Sequence, residues 1–334
     1  MGLGLGWFIS QTFAITYAIF GWLLIIAGAG IVVSALISWK RPRIPVGGLF
    51  VALLIGLILP VAASSGFQFD GEYLAEGTRT FEGSATANVV TFVVRNRNGA
   101  VYVSTWDSSE YKVELTIRAK GMTIADAEAT IDGLDIDVAE ERVQNQLRLV
   151  LEYNIPEQTW RRLAIQVTAY LPADAKANLD LESSNGGMYL TDIEGDTVQL
   201  RTSNGALELE RVYAESISGL SSNGRITGEI EAPDTTLSTS NGRIELTFPC
   251  TASGEYHVST SNGRVILTVS SSNQVGYDLD LSTSNGDIEV DLPGLSYSVD
   301  ERTSKEARTT DFTSRAIQIT INLSTSNGDV NVGT

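Results

Sequence analysis

The fold of this 334-residue chain is decided by residues 235–246, which read Thr-Thr-Leu-Ser-Thr-Ser-Asn-Gly-Arg-Ile-Glu-Leu. Alternation around the Asn-Gly pair, with apolar residues at every second position, is typical of strands that have one buried face. The inward positions are even offsets before Asn241 and odd offsets after it. Since one continuous strand would keep its phase, the chain must bend at the Asn-Gly pair.

The same corner recurs along the chain. Its asparagines are Asn98, Asn185, Asn204, Asn223, Asn241, Asn262, Asn285 and Asn327. From Asn185 onward the steps are 19, 19, 18, 21, 23 and 42 residues, and the last step predicts a coil that has lost its corner. An Asn-Gly hairpin fits the local sequence, but a spacing near 20 residues favours stacked parallel coils over a meander, which turns every ~8–12 residues. The sequence therefore predicts an all-β ectodomain, a parallel β-helix or β-solenoid.

The corner itself is expected to be structural. Stacked coils would set each asparagine side chain above the next, where the amides can hydrogen-bond in a ladder. Glycine is expected to supply the positive φ that the bend requires. We therefore interpret the eight corner asparagines as architecture first and as a ligand site only by exception.

The solenoid is expected to have two parts. Residues 178–334 hold the regular repeats. Residues 67–177 are expected to form the first coils, with a helix-bearing insertion that caps the membrane-proximal end, because terminal repeats of solenoids need capping. Residues 293–314 break the repeat and are expected to form either a loop or a cap.

Within the first part, alternation predicts strands over residues 89–94, 100–104, 111–118, 147–153 and 163–169. One helix is also predicted, over residues 124–132, because Ile124, Ala127 and Ile131 recur at helical spacing. Gly133 is expected to end this helix.

The first 66 residues predict a transmembrane hairpin. Residues 12–38 are nearly all apolar and residues 46–63 form a second apolar stretch, and a spanning helix needs ~17–25 such residues. The loop between them, residues 39–45, carries one lysine and two arginines. Because basic loops stay in the cytoplasm, we predict that the N-terminus and everything after residue 63 are extracytoplasmic.

A second interpretation treats residues 40–64 as a late signal peptide, with a basic start, an apolar middle and small residues at Val61, Ala62 and Ala63. The uncharged 39-residue segment that precedes it favours the uncleaved hairpin. Both interpretations place the remainder of the chain outside the cytoplasm.

Charge excludes one class of partner. The chain has 40 Asp and Glu against 23 Lys and Arg, a net charge of −17, and its first acidic residue is Asp70. Nucleic acids and anionic lipid surfaces are both bound through Lys and Arg. We therefore expect no nucleic acid partner, and contact with the lipid bilayer only through residues 1–66. The single cysteine, Cys250, allows no intramolecular disulfide and is expected to be a small buried apolar residue.

These motifs resemble the putative-adhesin family of bacterial and archaeal repeat proteins, a domain of unknown function related to the head-GIN adhesin domain. The resemblance covers roughly residues 80–334. It rests on residues 98–103 followed by Trp106-Asp107, on Leu171-Pro172 before residues 179–186, and on the Thr-Ser-Asn-Gly series. The resemblance implies a right-handed β-helical exterior domain, and it implies little about activity.

We expect no catalytic, cofactor or metal site. Parallel β-helices include polysaccharide lyases and hydrolases, but such sites need acidic and basic residues clustered on one face. The sole histidine, His257, alternates to the outer face and is expected to be solvated. The sequence has no metal-ligand spacing, nucleophile elbow or phosphate loop. Asp287 and Asp329 follow Asn-Gly corners but do not fit the nonapeptide calcium repeat.

One outward column is the candidate binding site. The residues two positions after the corner asparagines include Arg225, Arg243 and Arg264, on three consecutive coils. One interpretation is that Glu245 and other acids neutralise this column. The other is a docking strip for an acidic glycan or an acidic protein, through bidentate contacts. Separately, Asn322 begins a glycosylation sequon and is expected to face outward.

Three functions are open. The leading hypothesis is a structural or adhesive cell-surface protein, membrane-anchored, that binds neighbouring macromolecules and can form a homo-oligomer or filament through exposed strand edges. The second is an accessory or sensor subunit of a membrane complex, because small residues between Gly21 and Gly30 suit helix packing. The third, a glycan-active β-helix enzyme, is disfavoured by the missing cluster of acidic and basic residues.

Overall fold

The computed structural model describes residues 73–270 and 272–334, whose strands belong to one open 21-stranded sheet wrapped around a core. The predicted transmembrane hairpin, residues 1–66, lies outside the described residues. Over the ranges that the structure does describe, no helix is both long enough and apolar enough to span a bilayer.

The elements follow one another in a simple order. The strands are β1 (Tyr73–Ser84), β2 (Val89–Arg95), β3 (Val101–Trp106), β4 (Glu110–Gly121), β5 (Asp135–Val143), β6 (Gln146–Asn154), β7 (Leu163–Pro172), β8 (Lys176–Ser183), β9 (Met188–Thr202), β10 (Leu207–Ser221), β11 (Ile226–Glu231), β12 (Asp234–Thr239), β13 (Ile244–Phe248), β14 (Gly254–Thr260), β15 (Val265–Val269), β16 (Val275–Thr283), β17 (Ile288–Asp291), β18 (Leu295–Asp300), β19 (Ser304–Thr309), β20 (Ile317–Thr325) and β21 (Val330–Gly333). Among the described residues the helices are α1 (Ile124–Asp132) and two short 3-10 helices, Thr159–Arg162 and Phe312–Ser314.

The middle of the solenoid consists of regular parallel coils. β9 and β10 pair in parallel from Leu207 opposite Met188 to Ser221 opposite Thr202. In the next coils the same path is divided into two strands, so that β11 and β12 both pair with β10, and β13 and β14 continue the two rows. We call strands that follow an Asn-Gly corner post-corner strands and strands that precede one pre-corner strands. The parallel stacking expected from the repeat spacing is confirmed.

Both ends of the solenoid depart from chain order. β14 and β15 pair with β20 and β21, which in turn pair with β16 and β17. The coil of Asn327 therefore lies between the coils of Asn262 and Asn285. The prediction that the 42-residue step hides a coil without its corner is wrong, because the chain leaves one coil position open and fills it last. At the other end β2 and β3 lie between β6 and β7 on one side and β8 and β9 on the other.

Antiparallel strands cover both ends. β5 pairs with β6, β4 with β7 and β1 with β4, and α1 packs on β1 and β4. At the other end β19 pairs antiparallel with β16, and β18 pairs with β19. Residues 293–314, expected to be a loop or a cap, thus contain a capping hairpin. Such strands change the hydrogen-bond pattern and end the parallel stack.

Helix α1 has the predicted bounds. The Thr123 hydroxyl accepts a hydrogen bond from the Asp126 N–H at 3.1 Å, and the Gly133 N–H donates to the Ala129 carbonyl at 3.1 Å. Ala127 and Ile131 are buried as expected, whereas Ile124 is 54% exposed. The five predicted strands are present as β2, β3, β4, β6 and β7, each within a few residues of its predicted bounds.

The core is filled by the inward columns on either side of the corners. Its largest fully buried side chains are Tyr256, Phe92 and Phe248, and the rings of Phe248 and Tyr256 stack with centroids 4.2 Å apart. Cys250 is buried as expected, and burial raises the pKa of its thiol. The inward alternation predicted from the sequence therefore describes this core.

Candidate functional site

All eight corner asparagines form one continuous ladder. In seven of them the side-chain amide nitrogen donates to the amide oxygen of the neighbouring asparagine at 2.7 to 2.9 Å. The order along the ladder is Asn98, Asn185, Asn204, Asn223, Asn241, Asn262, Asn327 and Asn285. At its start the Asn98 amide donates to the carbonyls of Trp160 and Leu163. The ladder follows the spatial order of the coils, including the inserted coil of Asn327.

The corner glycines serve a different purpose from the one expected. Among the described corner glycines only Gly99 has a positive φ, 120°, so the expectation that glycine supplies positive φ at every corner is wrong. Glycine is required there by close approach of stacked backbones. A Cβ added to Gly224 would lie 1.6 Å from the Gly205 carbonyl oxygen, and the corresponding distances at the other stacked corners are 1.8 to 2.1 Å. No side chain fits into such a space.

A second ladder, not anticipated from the sequence, runs beneath the asparagines. Two positions before seven of the eight corner asparagines stands a buried Ser or Thr, and before Asn98 the same position holds the buried Asn96; the seven hydroxyl residues are Ser183, Thr202, Ser221, Thr239, Thr260, Thr283 and Thr325. Ser221 shows the arrangement, since its hydroxyl accepts from the Gly224 N–H at 2.8 Å and donates to the Gly205 carbonyl at 3.0 Å. The sequence does contain a signal for this hydroxyl ladder. In every regular repeat the inward position two residues before the corner asparagine holds a polar residue where an apolar one would be expected.

The predicted arginine column is assembled on adjacent coils. Each arginine is directly followed by a strand residue, and these residues pair across the coils: Ile226 lies opposite Ile244, and Ile244 lies opposite Val265. In addition, the Ile226 N–H donates to the Arg243 carbonyl and the Ile244 N–H to the Arg264 carbonyl, both at 3.0 Å. The side chains of Arg225, Arg243 and Arg264 are 61%, 51% and 52% exposed. The column therefore faces solvent on the post-corner strands.

Each arginine of the column has one acidic partner. Arg225 pairs with Glu208, Arg243 with Glu245 at 2.8 Å, and Arg264 with Asp329 at 2.8 Å. Glu245 thus neutralises the charge of Arg243, as expected if acidic residues neutralise the column. Asp329, the partner of Arg264, lies on the inserted C-terminal coil. The backbone N–H of Asp287 and the guanidinium of Arg264 together lower the pKa of Asp329. Every pair uses a single terminal nitrogen of the arginine.

The other residues considered from the sequence lie apart from this column. His257 is exposed, with its Nε2 3.0 Å from Glu255 Oε1, and the neighbouring Asn322 faces outward beside the same carboxylate. Asp287 pairs with Arg302 at 2.9 Å. Across residues 73–270 and 272–334, no group of three or more His, Cys, Asp or Glu side chains is placed to hold a metal ion.

The repeated coils now allow comparison with known families. The family model described as Toastrack DUF4097 matches residues 165–333, just over half of the chain. This chain belongs to that family. The family match begins in β7 and covers the regular coils and the C-terminal cap, while residues 73–164, with α1 and the first strands, precede it. No curated protein matches the chain.

Solved structures resemble this Toastrack domain at low identity. A putative cell adhesion protein from Clostridium sporogenes is 9% identical, covers 78% of this chain and 99% of its own, and gives a TM-score of 0.38. A putative adhesin from Bacteroides fragilis is 12% identical, with coverages of 77% and 97% and a TM-score of 0.29. A putative lipid binding protein from Parabacteroides distasonis is 13% identical, with coverages of 79% and 98% and a TM-score of 0.35.

Proposed function

We propose that this chain is a membrane-anchored cell-surface protein whose solenoid binds neighbouring macromolecules, in an adhesive or structural role. The arginine column carries the proposal. Three guanidinium groups stand on adjacent coils of a protein with net charge −17, and at least half of each side chain is exposed. Since guanidinium groups bind carboxylates in a planar, bidentate manner, the column suits a partner that offers carboxylates in a row.

The ion pairs of the column are compatible with such a partner. Exposed pairs contribute only ~0–1 kcal/mol, and each arginine keeps free N–H donors because its pair uses one nitrogen. The asparagine and hydroxyl ladders also support the proposal, since they hold the coils at the strand spacing of ~4.8 Å. A surface that is already ordered loses little entropy on binding.

The membrane anchor is part of the same proposal. We assign it to residues 1–66, with the N-terminus and the solenoid on the extracytoplasmic side. Its support is the pair of apolar stretches and the basic loop at residues 39–45. The right-handed winding, the kinship with the head-GIN adhesin domain and a binding role without catalysis are also proposed here.

Capture of a carboxylate polymer tests the binding role. The full chain in detergent micelles would be offered immobilised polygalacturonate and polyglutamate, and the Arg225→Ala/Arg243→Ala/Arg264→Ala variant is expected to lose at least tenfold in capture of one of them. The matched control is Arg118→Ala/Arg148→Ala/Arg308→Ala. It removes the same charge from arginines that are exposed and paired but do not lie on adjacent strands. Equal capture by both variants would refute the role of the column.

Proteolysis of intact cells tests the topology. A protease added outside is expected to cleave the exposed segments of the solenoid, because the proposal places them beyond the membrane. Complete protection until the cells are lysed would place the domain inside and overturn the surface role.

A further inference from the structure

A groove lies on the outer face of the post-corner strands β3 and β9 and of β7, which pairs with β3, beside the arginine column. It has a volume of about 330 Å³ and is formed by β7, β3 and β9. Its walls include Tyr102, Tyr170 and Tyr189, together with Gln166 and two threonines. None of its lining residues is charged, although the chain as a whole is strongly acidic. We call it the tyrosine groove.

The strand register creates this groove. Tyr102 lies opposite Thr168 on one side and Tyr189 on the other, whereas Ser104, two residues later, lies opposite Tyr170 and Thr191. Large rings and small hydroxyl side chains therefore occupy diagonally opposite positions on three adjacent strands. The small residues leave a depression over Ser104 that the rings border.

The rings are held in place by one another. Those of Tyr102 and Tyr189 stack with centroids 4.6 Å apart and an interplanar angle of 13°. Tyr170 packs against Trp106 at 5.5 Å, and the Trp106 indole N–H donates to the Glu110 carbonyl at 2.7 Å. Tyr102 is nevertheless 36% exposed. An ordered aromatic surface of this kind offers a large apolar contact at a small entropy cost.

The polar groups of the groove are available. Within the described residues, the hydroxyls of Tyr102, Tyr170 and Tyr189 and the amide of Gln166 have no hydrogen-bond partner in the protein. Hydroxyls both donate and accept, and an amide side chain offers donors on one side and an acceptor on the other. The groove therefore combines apolar faces with several donors and acceptors that only solvent satisfies in the free protein.

We propose that the tyrosine groove binds a chain of neutral pyranose sugars. The apolar C–H face of one sugar ring stacks on the face of Tyr102 that Tyr189 leaves uncovered, and its hydroxyls exchange hydrogen bonds with Gln166 and the threonines. Burying a ligand against aromatic faces with a few placed polar groups is the usual design of a small-molecule site. The groove lacks a cation for a carboxylate, so an uncharged sugar fits better than an acidic one.

A proline-rich peptide is the main competing ligand, because such peptides also dock in aromatic grooves. Its backbone offers carbonyl acceptors and few donors, which would leave the acceptor oxygens of Gln166 and the threonines unpaired. A neutral sugar offers both donors and acceptors, so the hydrogen-bonding groups favour it. The proposal does not depend on the arginine column, which is a separate part of the same face.

The test is titration calorimetry of the full chain in a detergent without a sugar headgroup. The probes are cellohexaose, maltohexaose and xylohexaose, with decaproline as the competing ligand. We expect saturable binding of at least one hexaose, and a loss of at least tenfold in affinity for Tyr102→Ala. Tyr102→Phe keeps the ring and should keep most of the affinity, while Gln166→Leu should lose several-fold. Tyr297→Ala, which removes a tyrosine of similar exposure (39%) on β18, should bind as the unmodified chain does.

Three results would overturn the proposal: no binding of any hexaose by the unmodified chain, equal binding by Tyr102→Ala, or tighter binding of decaproline. Circular dichroism of each variant checks that the fold is intact, and Tyr102→Phe and Gln166→Leu keep the test meaningful if Tyr102→Ala unfolds. The triple arginine variant should bind the hexaose normally. Loss of polygalacturonate capture with sugar binding retained would therefore separate the two sites.

Discussion

At the residue scale, the corner shows how one sequence signal can have two physical causes. Glycine is needed both where φ is positive and where no Cβ fits, and the sequence does not distinguish these. At Gly224 only the second cause applies, whereas at Gly99 both do, because its φ is 120° and an added Cβ would lie 2.3 Å from the Ile165 carbonyl oxygen. Asp192 and Arg211, within β9 and β10, also have positive φ. Neither is a glycine, so the sequence did not indicate these two positions.

Replacing a stacked corner glycine is expected to be costly. In Gly224→Ala the new Cβ would meet the Gly205 carbonyl at 1.6 Å, so the coils must separate locally. We expect a loss of about 3 kcal/mol in the free energy of unfolding, at the upper end for overpacking. Gly333→Ala is the control, since its Cβ would have its nearest neighbour at 3.7 Å and should change stability by less than ~0.5 kcal/mol. Urea unfolding followed by circular dichroism compares them, and equal midpoints would contradict the close-contact explanation.

Asp192 provides a pH-dependent prediction. Arg211 holds it through two hydrogen bonds, at 2.5 and 3.0 Å, and this lowers the pKa of the Asp192 carboxyl. A carboxyl with a lowered folded pKa stabilises the fold above its unfolded pKa, ~3.9, and loses that contribution as the pH falls through its folded pKa. Asp192→Asn, which tolerates the same backbone conformation, should therefore be less stable than the unmodified chain at pH 7. The difference should shrink by pH 3, and a difference independent of pH would argue against the ion pair.

At the element scale, the order of the coils is the feature that the sequence conceals. All regular corners carry the same Ser-Asn-Gly motif, so any coil can stack on any other through the same amide bonds. Nothing local in the sequence specifies that β20 and β21 enter between β14 and β16. Chain order would place Asp287 beside Arg264, whereas the inserted coil places Asp329 there.

Engineered disulfides can check the inserted coil. Adjacent strands lie ~4.8 Å apart, within the range that a disulfide bridges, whereas strands two positions apart lie beyond ~7 Å. Asn262→Cys/Asn327→Cys should therefore crosslink under mild oxidation. Asn262→Cys/Asn285→Cys should not, although its cysteines are closer in sequence. The native Cys250 is buried and should not interfere. Thiol counting and non-reducing mass analysis provide the readout, and the opposite pattern would restore chain order.

Elements with strong patterns could be predicted from the sequence and weakly patterned ones could not. Helix α1 and the five early strands followed from periodicity. β1 and β5 did not, because much of each strand is exposed and its alternation is interrupted by charged or small residues. The arginine column was found from its offset. The tyrosine groove was missed, although Tyr102 and Tyr189 share the outward offset four residues after their corners, because Tyr170 joins them only through the pairing of β7 with β3.

At the scale of the whole molecule, charge works against the fold. The chain carries a net charge of −17, and its ion pairs are mostly exposed, so they contribute little individually. Mutual repulsion among the excess carboxylates then opposes the compact state. The asparagine and hydroxyl ladders carry no charge and are unaffected by this repulsion.

Salt is therefore expected to stabilise the protein. Raising NaCl from 0.02 to about 0.5 M shortens the screening length to a few ångströms and weakens the repulsion, and we expect the melting temperature to rise by several degrees. Sodium fluoride and sodium chloride at equal ionic strength serve as mutual controls for specific ion effects. A melting temperature that falls with salt would mean that the ion pairs outweigh the net repulsion.

The inserted coil also determines when the protein can finish folding. Synthesis proceeds from the N-terminus, so the position between the coils of Asn262 and Asn285 stays vacant until β20 and β21 emerge from the ribosome. A product that terminates before residue 317 has an internal gap lined by apolar columns, instead of a shorter but complete rod. Cellular quality control can recognise that exposed surface. For the same reason, duplicating a central coil would lengthen the stack without opening a gap, whereas a coil that followed β21 in the chain would have to start from the middle of the stack.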